Sequence, residues 1–155
     1  MNFKLRLSLG IYIANILIMI AIGLAFEFSG EFMPFHSEVI QTEWNSVDSQ
    51  SQILYLGMMR TEGAGFLAAA TALIFLMFFP FRRLEKWSFW AMTTIGVVEY
   101  LPSLIANHHV ASVTNASPPW LFMLLLIVSL LLALFLANIG HGELEVESES
   151  TRQGR

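Results

Sequence analysis

Hydrophobic positions along this chain fall into four long runs separated by polar segments. A membrane-spanning helix needs about 20 mainly apolar residues to cross a hydrocarbon core of about 30 Å. Runs of roughly this length are Leu7 to Phe26, Gly57 to Phe79, Trp87 to Ile105 and Trp120 to Ala137. The pattern predicts an all-α integral membrane protein, with a four-helix bundle formed by residues 1–140.

The first run shares two features with a secretory signal peptide, because Lys4 and Arg6 precede it and Gly23-Leu24-Ala25 loosely resembles a cleavage site. Its length of about 20 residues exceeds the usual apolar core of about 7 to 15 residues in a signal peptide. We therefore expect the first run to remain in the protein as a span.

Basic residues are distributed unevenly among the segments that flank the runs. Of the eight Lys and Arg residues, only Arg60 lies outside the segment before run one, the segment between runs two and three, and the segment after run four. Lys and Arg are enriched on the cytoplasmic side of membrane proteins. The sequence thus predicts a multi-pass protein of the bacterial inner membrane with both termini cytoplasmic, and with residues 27–56 and 106–119 facing outward.

Composition narrows the remaining possibilities. The 55% hydrophobic content is above that of an ordinary soluble domain, and the net charge of −4 offers no basic face for nucleic acid. The chain has no cysteine, which excludes disulfides, thiolate metal sites and thiol nucleophiles. Residues 141–155 are polar and acidic, so we expect a disordered cytoplasmic tail.

Small residues indicate which helix faces pack together. Helices in a bilayer associate through small residues that let the backbones approach each other. With successive residues 100° apart around a helix, one face of the first run is rich in small residues. This expected packing face consists of Gly10, Ala14, Leu17, Ala21 and Ala25. In the second run, the corresponding residues are Gly65, Ala69 and Ala72.

Two carboxylates, Glu62 and Glu99, lie inside apolar runs. An acidic side chain at the centre of a span costs about 2.5 to 3.5 kcal/mol on insertion scales, and such residues are usually functional or paired. Glu62 shares a side with Gly65, and Glu99 shares a side with Gly96 and Ser103, so both carboxylates should face the bundle interior. They should line one outward-opening cleft, offset by roughly 7 Å along the axis. The alternative is that either glutamate only fixes helix register.

Three further residues complete the predicted ligand- or cation-binding set. Tyr100 and Ser103 lie near Glu99 along the third run, and Pro102 should kink that helix. Arg60 points almost opposite to Glu62 on a helical wheel, so it should reach the outer headgroups without necessarily pairing with Glu62. The candidate set is Glu99, Glu62, Tyr100, Ser103 and Arg60.

Histidines on the outer side are candidate metal ligands. His36, His108 and His109, together with Met33, Met58 and Met59, offer imidazole and thioether groups that suit copper. His108 and His109 lie roughly 14 to 15 Å beyond Glu99 in a straight helix, too far for one coordination shell. Solvated loop histidines are the alternative, and neither a zincin nor a di-iron motif is present, so we predict no cofactor.

The stretch MRTEGAGFLAAATALIFLMFFPFRRLEKWSFWAMTTIGVVEYLP resembles the middle of small bacterial four-span proteins of the DoxX-like kind. It combines an Arg at the outer start of a small-residue helix with a short basic loop and a Trp that opens the next span. The resemblance implies a four-helix inner-membrane bundle and no particular activity.

Three functions fit these features. The first is a non-enzymatic binding or accessory protein whose acidic pocket engages a small ligand, a cation or a partner's membrane helix. The second is an immunity-type protein against a membrane-targeting toxin, by analogy with the small bundles of colicin immunity proteins. The third is a proton- or metal-coupled enzyme or channel subunit, although no G-x-S-x-G or comparable catalytic signature occurs. Partners would be the lipid bilayer, a membrane protein or a second copy, and no nucleic acid.

Overall fold

A computed structural model describes residues 1–153, and within them the chain is helical with no strand. The helices are α1 (Phe3–Phe28), α2 (Pro34–Ile40), α3 (Ser49–Phe78), α4 (Lys86–Val113) and α5 (Trp120–Gln153), with short 3₁₀ turns at Trp44–Ser46 and Phe81–Arg83. Four helices are long and apolar enough to cross a membrane, namely all except α2. The predicted all-α class and the four membrane-length helices are confirmed.

Side-chain caps define where two of the long helices begin. The Asn2 side chain accepts a hydrogen bond from the Leu5 N–H at 3.1 Å, at the start of α1. The Asp48 carboxylate accepts from the N–H groups of Gln50 and Ser51 at 3.1 and 3.0 Å, at the start of α3. Both caps satisfy backbone donors that a helix leaves unpaired in its first turn.

The four long helices form a ring in the order α3, α1, α5, α4, and neighbours run antiparallel. Ser8, early in α1, donates to the carbonyl of Ala133, late in α5, at 2.7 Å. Lys86, at the start of α4, donates to Glu145 near the end of α5 at 2.9 Å. The contact between α3 and α4 is the slightest of the four seams. The first and last described residues therefore lie at the same end of the bundle.

Polar side chains join the helices inside the ring. The Tyr12 hydroxyl lies 2.8 Å from Thr93 Oγ1 and donates to the Phe89 carbonyl at 3.1 Å. Asn15 Nδ2 donates to Ser129 Oγ at 2.9 Å, linking α1 to α5. Hydrogen bonds of this kind hold helices together where lipid removes the hydrophobic drive for association.

The α1 and α3 backbones approach closely at two glycines. A Cβ added to Gly63 would lie 2.8 Å from the Gly23 carbonyl oxygen, and one added to Gly23 would lie 2.9 Å from the Gly63 carbonyl oxygen. No larger residue fits at either position without separating the helices. This crossing fixes the spacing of α1 and α3.

The small-residue face expected to pack in α1 is instead exposed, so that prediction was wrong. Its members Gly10, Ala14, Leu17, Ala21 and Ala25 are all on the outside. The buried side carries large and polar residues, among them Leu5, Ser8, Tyr12, Asn15 and Met19. These residues turn inward because their hydrogen bonds and volume fill the ring, and Gly23 alone supplies the close approach.

The predicted disordered tail is also corrected, because α5 continues without a break to Gln153. Glu143 accepts a hydrogen bond from Lys4, and Glu145 accepts one from Lys86. These bonds attach the extension of α5 to the starts of α1 and α4, contacts that local composition does not reveal. Residues 154 and 155 of the predicted tail lie outside the described residues.

The two segments predicted as outer loops contain more helix than expected. The segment 27–56 holds α2 and a 3₁₀ turn, and α4 runs on to Val113, eight residues past the predicted end of its span at Ile105. Phe32 is 6% exposed and packs edge-on against Trp44 and Tyr55, with ring centroids 4.9 and 5.9 Å away. This aromatic cluster explains why the first of these segments folds.

Candidate acidic binding surface

Glu62, Gly65, Glu99 and Ser103 come together on the surface between α3 and α4, and we call these four residues the acidic seam. Ser103 Oγ donates to Glu62 Oε1 at 3.2 Å. The space above Gly65 is occupied by the Glu99 carboxylate, so the two carboxylates lie on the same surface of the α3–α4 contact. Glu62 is exposed and Glu99 is half-buried, so the acidic seam is open to the surroundings.

The antiparallel course of α3 and α4 sets the level of each carboxylate. Glu62 lies level with Ser103, and Gly65 lies level with Glu99. Because Ser103 is four residues beyond Glu99, the carboxylates are offset by about 6 Å along the helices. This spacing agrees with the offset that the sequence predicted.

Gly65 makes room for the Glu99 carboxylate. A Cβ added at this position would lie 3.2 Å from Glu99 Oε1 and 3.8 Å from Oε2. Both oxygens thus rest on the α3 backbone in space that any other residue would narrow. The sequence indicated Gly65 only as a packing residue, and nothing in a single sequence distinguishes that role from this one.

Neither carboxylate of the acidic seam has a basic partner within residues 1–153. The ion pairs in this part of the chain join Lys4 to Glu143, Arg83 to Glu85, Lys86 to Glu145 and His141 to Glu145. Two acidic groups on membrane-length helices are thus left without an internal counter-charge. Such an arrangement favours a cationic group from outside the chain.

Two residues of the predicted set do not join the acidic seam. Tyr100 is fully buried on the core-facing side of α4, where its hydroxyl donates to the Asn15 carbonyl at 3.4 Å. Its position next to Glu99 in sequence turns it about 100° around the helix and into the core. Arg60 is exposed and forms no ion pair with Glu62.

The candidate metal ligands lie apart. His36 accepts a hydrogen bond from the Met33 N–H at 3.2 Å on Nδ1, and its partial burial lowers its pKa. His108 packs edge-on against Trp120 with centroids 5.3 Å apart, and both His108 and His109 belong to α4, where the sequence placed them in a loop. The described residues contain no group of three or more His, Asp or Glu side chains suited to a metal.

Sequence reasoning missed the buried polar residue Asn15. It is 2% exposed, and its Oδ1 has no hydrogen-bond partner among residues 1–153. Its side-chain amide joins α1 to α5, and its backbone carbonyl receives the Tyr100 hydroxyl. An amide in an otherwise apolar run was the available signal for this position.

Comparison with protein-family models, with curated proteins and with solved structures yields no match to this chain. The resemblance to DoxX-like proteins thus stays an expectation.

Proposed function

We propose that this chain is a non-enzymatic accessory protein of the bacterial inner membrane that binds a transmembrane helix of a partner protein through the acidic seam. Both termini are cytoplasmic in this proposal. This orientation agrees with the basic residues, most of which lie at the same end of the bundle as the termini. The observation that carries the proposal is the pair of carboxylates, Glu62 and Glu99, with no counter-charge in the described chain.

The open form of the acidic seam favours a helix over a small ligand. Glu62 is exposed, as are Ala68 one and a half turns further along α3 and Pro102 on α4. A small molecule usually binds in a concave pocket that covers most of its surface. An exposed surface with the small residues Gly65 and Ala68 on α3 suits the close approach of another helix.

The charge of the acidic seam specifies the chemistry of the partner. A Lys or Arg side chain on the partner helix would supply hydrogen-bond donors to carboxylates that are only acceptors when ionised. Charge-assisted hydrogen bonds are about twice as strong as neutral ones. The partner helix should therefore carry a Lys or Arg residue at the same depth in the membrane as Glu62 and Glu99.

Site-directed photo-crosslinking in native membranes tests the proposal. A photoreactive residue replaces Ala68 beside the acidic seam, and a control replaces Leu125, an exposed residue of α5. We expect a discrete adduct at position 68, formed with a membrane segment that contains Lys or Arg, and none at position 125. Equal labelling at the two positions, or an adduct whose segment has no basic residue, contradicts the proposal.

A second candidate is the immunity-type function, favoured by the folded outer segment. This segment contains acidic residues and no basic residue between positions 27 and 56, and the Glu38 carboxylate holds it to the other outer segment by accepting from Ser117 N–H at 2.8 Å. A shaped acidic surface of this kind would suit a basic toxin domain. Survival of cells exposed to toxins encoded near this gene, with and without the protein, separates the two functions.

A further inference from the structure

A groove of about 460 Å³ lies between α4 and α5, on the side of the bundle away from the acidic seam. It is lined by Trp90, Leu131, Leu134, Phe135, Asn138 and Ile139. Its walls are mostly apolar, and one amide side chain, that of Asn138, stands at its end nearer the termini. We call these six residues the α4/α5 groove.

The exposed Trp90 and the amide of Asn138 in the α4/α5 groove are residue types expected at the boundary between hydrocarbon and headgroups. Trp90 is 59% exposed, as expected of an aromatic anchor at the membrane interface. Asn138 donates one N–H to the Leu134 carbonyl at 2.9 Å. Its second N–H and its carbonyl oxygen remain for a polar group at the headgroup level.

An ion pair stands beyond the groove on the same side of both helices. Leu131, Asn138 and Glu145 are spaced by seven residues, so they lie within about 20° of one line along α5, and Glu145 is about 10 Å past Asn138. Lys86 is one turn before Trp90 on α4. Lys86 Nζ donates to Glu145 Oε2 at 2.9 Å, so the pair joins the two walls.

Glu145 Oε1 also lies 3.5 Å from His141 Nδ1, and both members of the Lys86–Glu145 pair remain open to further bonds. Their side chains are 56% and 51% exposed for Lys86 and Glu145 respectively. The hydrogen bond from Lys86 holds the pKa of Glu145 below its usual range, so the carboxylate is ionised at neutral pH. A positive and a negative group thus face the headgroup layer side by side.

The geometry points to a binding site for a phosphatidylethanolamine molecule, whose acyl chain occupies the α4/α5 groove and whose headgroup lies over Lys86 and Glu145. The headgroup carries a phosphate, which matches the Lys86 ammonium, and a primary ammonium, which can donate to the Glu145 carboxylate. A choline headgroup has no N–H to donate, and a glycerol headgroup brings no cation to Glu145. Charge complementarity thus selects the ethanolamine headgroup.

Quenching of tryptophan fluorescence by lipids brominated on the acyl chain tests this site. The full chain with Trp44, Trp87 and Trp120 replaced by Phe keeps Trp90 as its only tryptophan, and selective excitation of tryptophan avoids the three tyrosines. A matched reporter carries Trp90→Phe and Leu132→Trp on that background, because the Leu132 side chain is exposed, like that of Trp90, and does not line the groove. Each is reconstituted in phosphatidylcholine bilayers with a brominated ethanolamine, glycerol or choline phospholipid as the minor component.

We expect brominated phosphatidylethanolamine to quench Trp90 at a mole fraction about three- to tenfold lower than the other two lipids require. The Leu132→Trp reporter should show no headgroup preference, and Glu145→Gln should remove the preference at Trp90. Equal quenching of Trp90 by all three lipids would mean ordinary boundary lipid and would overturn the site. A preference for the glycerol headgroup would overturn the assignment of the ligand.

Native mass spectrometry of the unsubstituted protein gives a second readout that needs no variant to fold. From an equimolar mixture of the three lipids, the protein should retain one phosphatidylethanolamine molecule in preference to the others. Retention in proportion to the mixture contradicts the proposal. The acidic seam plays no part in either measurement, so failure here leaves the proposed function standing.

Discussion

At the scale of single residues, two glycines two positions apart in α3 have different roles. Gly63 allows the α1 backbone to approach, because its Cβ would collide with the Gly23 carbonyl. Gly65 leaves space for a carboxylate of the acidic seam. The role of Gly63 concerns stability and that of Gly65 concerns binding. Substitutions of the two glycines should therefore affect different measured properties.

Gly63→Ala should destabilise the bundle by about 1 to 3 kcal/mol, because the added methyl group forces α1 and α3 apart. Gly57→Ala is the matched control in the same helix, since a Cβ there meets nothing within 4 Å. Unfolding of both variants by SDS in mixed micelles measures the difference. Equal stability of Gly63→Ala and Gly57→Ala would refute the close crossing.

His36 should make the fold of α2 depend on pH. Burial lowers the pKa of His36 in the folded state, so the unfolded segment binds the proton more readily. The stabilisation is present in full above the unfolded pKa of about 6.5 and is lost as pH falls below it. Amide exchange of residues 34–40 should therefore quicken between about pH 7 and about pH 5.5, and this change should disappear in His36→Gln. Exchange with the same pH response in both proteins would contradict this role.

At the scale of helices, α5 shows that a local sequence pattern does not reveal contacts between residues distant in sequence. Its apolar part was predicted because a run of Leu and Phe of that length is typical of a span. Its extension past Gly140 was predicted as disordered, because Glu and Ser dominate and the partners Lys4 and Lys86 are distant in sequence. The face of α1 was assigned wrongly for a related reason, since hydrogen bonds from Tyr12 and Asn15 decide its orientation.

Breaking the two ion pairs should loosen the extension of α5. Glu143→Gln combined with Glu145→Gln should speed amide exchange over residues 144–153 only modestly, because exposed ion pairs contribute little to stability. Glu147→Gln with Glu149→Gln is the control, because these carboxylates form no ion pair within residues 1–153. The wild-type exchange should also rise with salt. If both double variants exchange alike, the ion pairs do not hold the extension.

At the scale of the whole molecule, the short basic connection between α3 and α4 made the acidic seam predictable. Two antiparallel neighbours whose glutamates, Glu62 and Glu99, lie about one turn apart in height bring the carboxylates to one surface whatever the details of the loop. The sequence did not predict that the acidic seam is an open surface, because it does not reveal how slightly α3 and α4 touch. Nor did it place Tyr100 in the core, where the Asn15 carbonyl receives its hydroxyl.

The orientation of the molecule is open to a direct check. The chain has no cysteine, and both Gly30 and Gly142 have open space where a side chain would stand. We expect a membrane-impermeant thiol reagent to label Gly30→Cys from outside intact cells and Gly142→Cys only after the inner membrane is opened. The reverse labelling would place the termini outside.

The central claim is that the carboxylates of Glu62 and Glu99 bind a basic side chain of a partner helix. Its most direct measurement is the yield of the photo-crosslink at position 68 in a Glu62→Gln, Glu99→Gln variant, with Glu31→Gln, Glu43→Gln as the control. We predict a loss of about tenfold or more in the first variant, because it leaves the partner's charge unpaired in the membrane, and no change in the second. An undiminished yield in the Glu62→Gln, Glu99→Gln variant would contradict the claim.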